Sequence, residues 1–149
     1  MKRPKFNQPP GLWKSDGSLR DVYIVETSAR EWAALLDLAR SYPHEYREAG
    51  EISDLPNIDR LFPGPDCPRQ LHILVGPAEI NCHFFVPQEI ELDIDPRQVV
   101  DEAAHFGVLR FLERLASGTG RQISLTPENL PERPYLIFDP VQHVWSVRG

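Results

Sequence analysis

The chain has only two cysteines, Cys67 and Cys82, in 149 residues. That is too few for a disulfide framework, and their spacing is not that of a zinc ribbon. In a reducing compartment both are expected as free thiols, with a single bridge as the alternative. No apolar run approaches the ~18 residues that a bilayer span requires. The opening "MKRPKFNQPPG" is basic but lacks the apolar stretch of a secretory signal, so a cytoplasmic location is the expectation. There is no glycine-rich phosphate loop, G-x-S-x-G elbow, H-E-x-x-H pair or zinc finger. Between Arg69 and Arg97 there is no Lys or Arg at all, while Glu79, Glu89, Glu91, Asp93 and Asp95 all fall there.

That gap is part of a wider charge asymmetry within a net charge of −6. Residues 1–20 carry five bases and one acid, for +4. Residues 21–102 carry six bases and seventeen acids, for −11, and residues 103–149 five and four, for +1. An acidic middle disfavours nucleic acid, because phosphate neutralisation supplies most of that affinity. It favours a basic protein partner or a cation. The composition, 41% hydrophobic and 26% charged, is that of a soluble globular domain. A chain of this length can bury roughly 70% of its unfolded surface without metals or bridges.

Residues 1–11 contain Pro4, Pro9 and Pro10 and read as a mobile N-terminal arm, leaving 12–149 as one domain. Val22 to Val25 read as a strand, with a hairpin through Trp13 before it and Asp16-Gly17 as a turn signal. Ser28 and Glu31 then make an S-x-x-E capping box. Trp32, Leu35, Leu36 and Ala39 share a helical face, so a helix is predicted over 28–41, ended by Pro43. "HEYREAGEI" suggests a short hairpin or edge strand around Gly50, and the proline-rich 53–70 reads as loop with one helical turn. A three-strand meander follows over 71–95. A second helix is expected over 96–117, with Val100, Ala104, Val108, Phe111 and Leu115 on its apolar face. "RQISL", "PYLIF" and "HVWSV" supply three more short strands. The expected fold is α+β: one antiparallel sheet of about five to seven strands, with both helices on one face.

Alternation lets the outer face of the meander be read in advance. A two-residue loop at Gly76-Pro77 opposes Val75 to Ala78 and His72 to Asn81. A three-residue loop at Pro87–Glu89 would oppose Val86 to Ile90 and His83 to Asp93. Both registers gather the apolar residues on one face. The other face then collects His72, Leu74, Asn81, His83, Phe85, Glu91 and Asp93, the candidate binding surface. A carboxylate beside imidazole raises its pKa and fixes its tautomer, as a general base or metal ligand requires. His72, His83 and Asp93 are accordingly the weak candidates for a metal, although no motif marks a metal or other cofactor here. The same pair is equally an ordinary cross-strand contact. Asp95, before Pro96 and three residues from Gln98, reads as the N-cap of the second helix.

In "NCH", Cys82 and His83 point to opposite faces and cannot form a dyad. Glu102 and His105 make an isolated E-x-x-H, the half-motif of a di-iron bundle that this chain has too few helices to complete. The reading that follows is a non-catalytic cytosolic domain that binds another macromolecule through an acidic surface. Bacterial immunity proteins, which cover a basic toxin domain, share this size and charge, and the analogy extends no further. The alternatives are a metal-binding or hydrolase-type enzyme using His72, His83 and Asp93, and a structural domain that dimerises through its strand face. No nucleic acid or membrane partner is expected.

Overall fold

The computed structural model describes residues 1–149. In chain order the elements are β1 (Arg20–Val25), α1 (Ala29–Arg40), β2 (His44–Glu48), β3 (Glu51–Ser53), β4 (Arg69–Val75), β5 (Ala78–Val86), β6 (Glu89–Ile94), α2 (Glu102–Thr119), β7 (Ile123–Pro127), β8 (Leu136–Asp139) and β9 (Val144–Val147). All nine strands join one antiparallel sheet in the order β3-β2-β4-β5-β6-β1-β7-β8-β9. The α+β class, the antiparallel sheet and the two helices are as expected, but the strands number nine rather than five to seven. The excess comes from strands with almost nothing to bury. All three residues of β3 are exposed, and in β2 only Tyr46 is buried. Ladder hydrogen bonds hold such strands, and these leave no trace in hydrophobic periodicity.

Both helices lie on one face. Trp32 of α1 stacks on Phe84 of β5, and Gly107 of α2 faces Val75 of β4, with Gly118 of α2 close to Ala34 of α1. α1 begins as expected: the Glu31 carboxylate accepts the Ser28 N–H at 3.0 Å, and Trp32, Leu35, Leu36 and Ala39 are buried. α2 begins six residues later than expected. Its N-cap is Asp101, which accepts from Ala104 N at 2.8 Å. Asp95 instead caps a separate single turn, Pro96–Gln98, accepting from Arg97 N. Gln98 forms no capping box; its Oε1 accepts the Glu79 N–H of the β4–β5 hairpin at 2.8 Å. Val99 breaks helical geometry between the two turns, so Val100 points to solvent instead of joining the apolar face.

The first fourteen residues, read partly as a mobile arm, lie against α2 and β9. Arg3 grips Glu113 through two hydrogen bonds of 2.8 and 2.9 Å, and Trp145 Nε1 donates to the same carboxylate. No strand precedes β1. Residues 11–14 are instead held by Arg20, whose guanidinium is 1% exposed and donates to the carbonyls of Gly11, Leu12 and Lys14.

The β4–β5 register is the expected one, Val75 opposite Ala78 and His72 opposite Asn81. The β5–β6 register is not. Cys82 pairs with Leu92, Asn81 with Asp93, His83 with Glu91, and Val86 with Glu89. The turn is the two residues Pro87-Gln88, and Glu89 belongs to β6 rather than to the loop. Between His83 and Val86, two β5 residues face the single β6 residue Ile90, which is a β-bulge. The shift is two residues over Ile80–His83, which preserves parity, so the faces there survive while the partners change; at Val86 it is one residue, and Val86, expected on the apolar face opposite Ile90, is exposed.

Candidate functional site

The helices cover the face built from Val22, Ile24, Leu71, Ile73, Ile80, Cys82, Leu92 and Ile94, all of them buried. The outer face is the complement of this set. Register alone aligns one row across six strands: Glu45, His72, Asn81, Asp93, Asp21 and Thr126. The next row holds His83, Glu91, Tyr23 and Ser124. Five of these, Glu45, Asp21, Tyr23, Ser124 and Thr126, escaped the sequence reading because the strand order beyond the meander, β1 beside β6 above all, is a long-range fact. The signal was present in "RDVYIV", where Asp21 and Tyr23 alternate with Val22 and Ile24.

A hydrogen-bonded chain runs along the first row. Asn81 Nδ2 donates to Asp93 Oδ1 at 2.8 Å, and Asn81 Oδ1 accepts from His72 Nδ1 at 2.5 Å. An ionised carboxylate can only accept, so Asp93 orients the amide, and the amide oxygen in turn makes His72 Nδ1 the protonated nitrogen. His72 Nδ1 also lies 3.5 Å from Glu79 Oε1. The second Asp93 oxygen bonds His83 Nε2. The expected His83–Asp93 pair therefore exists, but diagonally across the ladder. Asp93 holds the His83 pKa above its ordinary value through this bond, against the opposing effect of burial. Asp21 Oδ2 accepts from Tyr23 OH at 3.1 Å and from Asn129 N at 2.8 Å. Burial, aided by nearby Asp93, still raises the Asp21 pKa, and burial likewise raises that of Glu91.

The bulge decides which aromatic faces which way. Phe84 turns inward against Trp32 and Tyr46. Phe85 turns outward, 67% exposed, and stacks on His83 with ring centroids 5.1 Å apart and planes 2° from parallel. Val86 and Val25, both largely exposed, stand on either side of Glu89 in register. The Pro87-Gln88 turn is clasped from behind: Thr27 Oγ1 and Trp32 Nε1 both donate to the Pro87 carbonyl, at 2.7 and 3.0 Å. The apolar corner is thus fixed to α1. Leu74, further along the face opposite Glu79, is also exposed.

The seven residues expected on the binding surface do share the outer face. Chemically they form a polar network capped by an aromatic, and their strand neighbours bring the carboxylates on this side of the sheet to six: Asp21, Glu45, Glu79, Glu89, Glu91 and Asp93. The only arginine or lysine among the paired outer residues of β2 to β6 and β1 is Arg47, itself bonded to Glu45 at 3.2 Å. No three His, Cys, Asp or Glu side chains converge in a metal-holding arrangement, and His72 and His83 each spend a nitrogen on a neighbour in the face. Cys82 is buried and its thiol is pushed far up by that burial. Cys67 lines a shallow cavity of about 310 Å³ together with Arg69, His83 and Phe85, a juxtaposition created by the β4–β5 pairing and invisible in the sequence. No hydrogen bond links its sulfur to the imidazole. No helix is long and apolar enough to cross a membrane. No protein-family model, curated protein or solved structure matches this chain.

Proposed function

We propose that the outer face of the sheet is a docking surface for a basic protein, and that the domain acts by binding, in the manner of an immunity protein covering a cationic target. The observation that carries this reading is the uncovered face itself. A nine-stranded sheet packs its helices on one side only and presents four solvent-accessible carboxylates, Glu45, Glu79, Glu89 and Glu91, on the other, above the buried Asp21 and Asp93, with Phe85 projecting from a bulge at one corner. Like-signed charge concentrated on one surface steers an oppositely charged partner and raises its association rate. A rigidly mounted, exposed aromatic rimmed by charge is the usual form of an interface anchor. Self-association through this face is disfavoured by the same charges, which would meet their own kind across a two-fold axis.

The test uses variants that leave Asp21, Asn81 and Asp93 in place: Glu89→Lys with Glu79→Lys, and separately Phe85→Ala. Immobilised wild-type protein should capture a basic protein from the lysate of its own source, with capture weakening steeply as salt rises. The double charge reversal should abolish capture, and Phe85→Ala should weaken it at least tenfold, with circular dichroism unchanged. A captured partner that ignores both variants would sink the reading.

A further inference from the structure

His105 lies on the far side of the molecule from the outer face, in the first turn of α2, and is completely buried. Both of its ring nitrogens are engaged. Trp13 Nε1 lies 2.9 Å from Nδ1, and Nε2 lies 2.8 Å from the carbonyl oxygen of Pro4. An indole N–H can only donate and a carbonyl oxygen can only accept. The imidazole must therefore be neutral, with Nδ1 bare and Nε2 protonated. Phe6 and Trp13 pack edge-on against the ring, and Phe106 tilts against it. Two separated points of the N-terminal segment, residues 4 and 13, are thus fastened to one helix by one histidine.

We propose that His105 is an acid-opened latch: a proton arriving at Nδ1 expels the Trp13 indole and loosens the segment around it from α2, while Arg3 and Pro4 stay attached. A protonated Nδ1 would set N–H against N–H. The Pro4 carbonyl bond survives protonation, so the lost contact is the one to Trp13. The charged groups around the ring are few. Glu102, one turn earlier on α2, favours the protonated form. Arg3 and Lys5 flank Pro4, and Lys14 follows Trp13. Glu113, two turns further along α2, is already engaged by Arg3 and Trp145. Burial outweighs Glu102 and holds the imidazole pKa below its ordinary value. In the open state the ring regains water and an ordinary pKa near ~6.5. The sign is then fixed: the latch is fully closed above about pH 6.5 and weakens as pH falls below it. One proton is taken up per opening, so the open-to-closed ratio rises roughly tenfold per pH unit until the closed form itself titrates.

The experiment is a nitrogen-15 NMR titration of the full chain from pH 7.5 to 4.5, following the His105 ring nitrogens and the Trp13 indole N–H. At neutral pH His105 should show the Nε2-protonated tautomer. On acidification the Trp13 indole resonance and the backbone amides of residues 5–14 should move together with His105. His105→Gln, which can accept from Trp13 and donate to Pro4 without titrating, should abolish that coupled change. An Nδ1-protonated tautomer at neutral pH would overturn the proposal. So would a Trp13 resonance that ignores the His105 titration, or identical acid responses in wild type and His105→Gln. If the variant does not fold, the wild-type titration decides alone.

Discussion

Asp21 and Asp93 stand directly opposite each other on β1 and β6, and both residues are more than nine-tenths buried. Each is provided with donors, Asp21 by Tyr23 and Asn129, Asp93 by Asn81 and His83. Two like charges at a directly paired position nevertheless oppose each other. This is the place where the outer face most plainly sacrifices stability to hold negative charge.

Asp21→Asn should therefore stabilise the protein. The amide oxygen can still accept from Tyr23 OH and Asn129 N–H, while the buried charge is removed. The folded-state pKa of Asp21 is raised, so its unfavourable contribution is absent below the unfolded value near ~3.9 and appears as pH rises through the folded value. We expect a gain of about 1 kcal/mol at pH 7, or roughly 2–4 °C in Tm, vanishing near pH 4. Thermal melts at the two pH values check it, and a loss of stability at pH 7 would contradict the account.

His83 should behave in the opposite sense to His105. Its folded pKa is raised by Asp93, so its stabilising contribution is complete below about pH 6.5 and is lost as pH rises through the folded value. A ring titration by NMR should place His83 above the ordinary histidine value, and Asp93→Asn should bring it down. A wild-type value at or below that of a free histidine would refute the pairing.

Arg20 should be among the least tolerant positions. Truncation to Ala leaves the buried carbonyl of Leu12 and the part-buried carbonyls of Gly11 and Lys14 without their donor. Leaving buried acceptors unpaired makes about 3 kcal/mol or more the expected cost in urea denaturation. Lys should rescue little, because a point charge cannot reach three carbonyls as a planar fork does.

The two aspartates that flank the Pro96–Gln98 turn should separate cleanly. Asp101→Ala removes the N-cap of the eighteen-residue α2 and should cost about 1 kcal/mol. Asp95→Ala releases only a single turn and an exposed contact to Arg97, and should cost less than about 0.5 kcal/mol. Equal losses would mean that α2 effectively begins at Pro96.

That contrast also marks how far the sequence could be read. Asp95-Pro96 carries every local sign of a helix start, and it does cap a turn. What ends that turn is the backbone of Val99, which local propensity does not encode. The β4–β5 register was legible because strict alternation leaves one arrangement that buries Leu71, Ile73, Ile80 and Cys82 together. The β5–β6 register was not, because Phe84 and Phe85 are both apolar and alternation cannot show that one of them is an extra residue. Parity nonetheless protected the main result: His72, Asn81, His83, Glu91 and Asp93 share a face in either register. Asp21 and Tyr23 needed the strand order, which rests on pairing between distant segments.

The position of β1 has a consequence for how the chain can assemble. Strands β3, β2, β4, β5 and β6 form one contiguous run of the sheet, and β7 to β9 another. Only β1 links the two sets, pairing Val22 with Leu92 on one edge and Leu125 on the other. The earliest strand in the sequence is thus the one that waits longest for its second neighbour, because Leu125 must be available first. Until then "VYIV" offers an apolar, unpaired edge of the kind that recruits foreign strands. During synthesis this segment would wait for about a hundred residues before its second partner emerged, which makes it the strand edge left open longest.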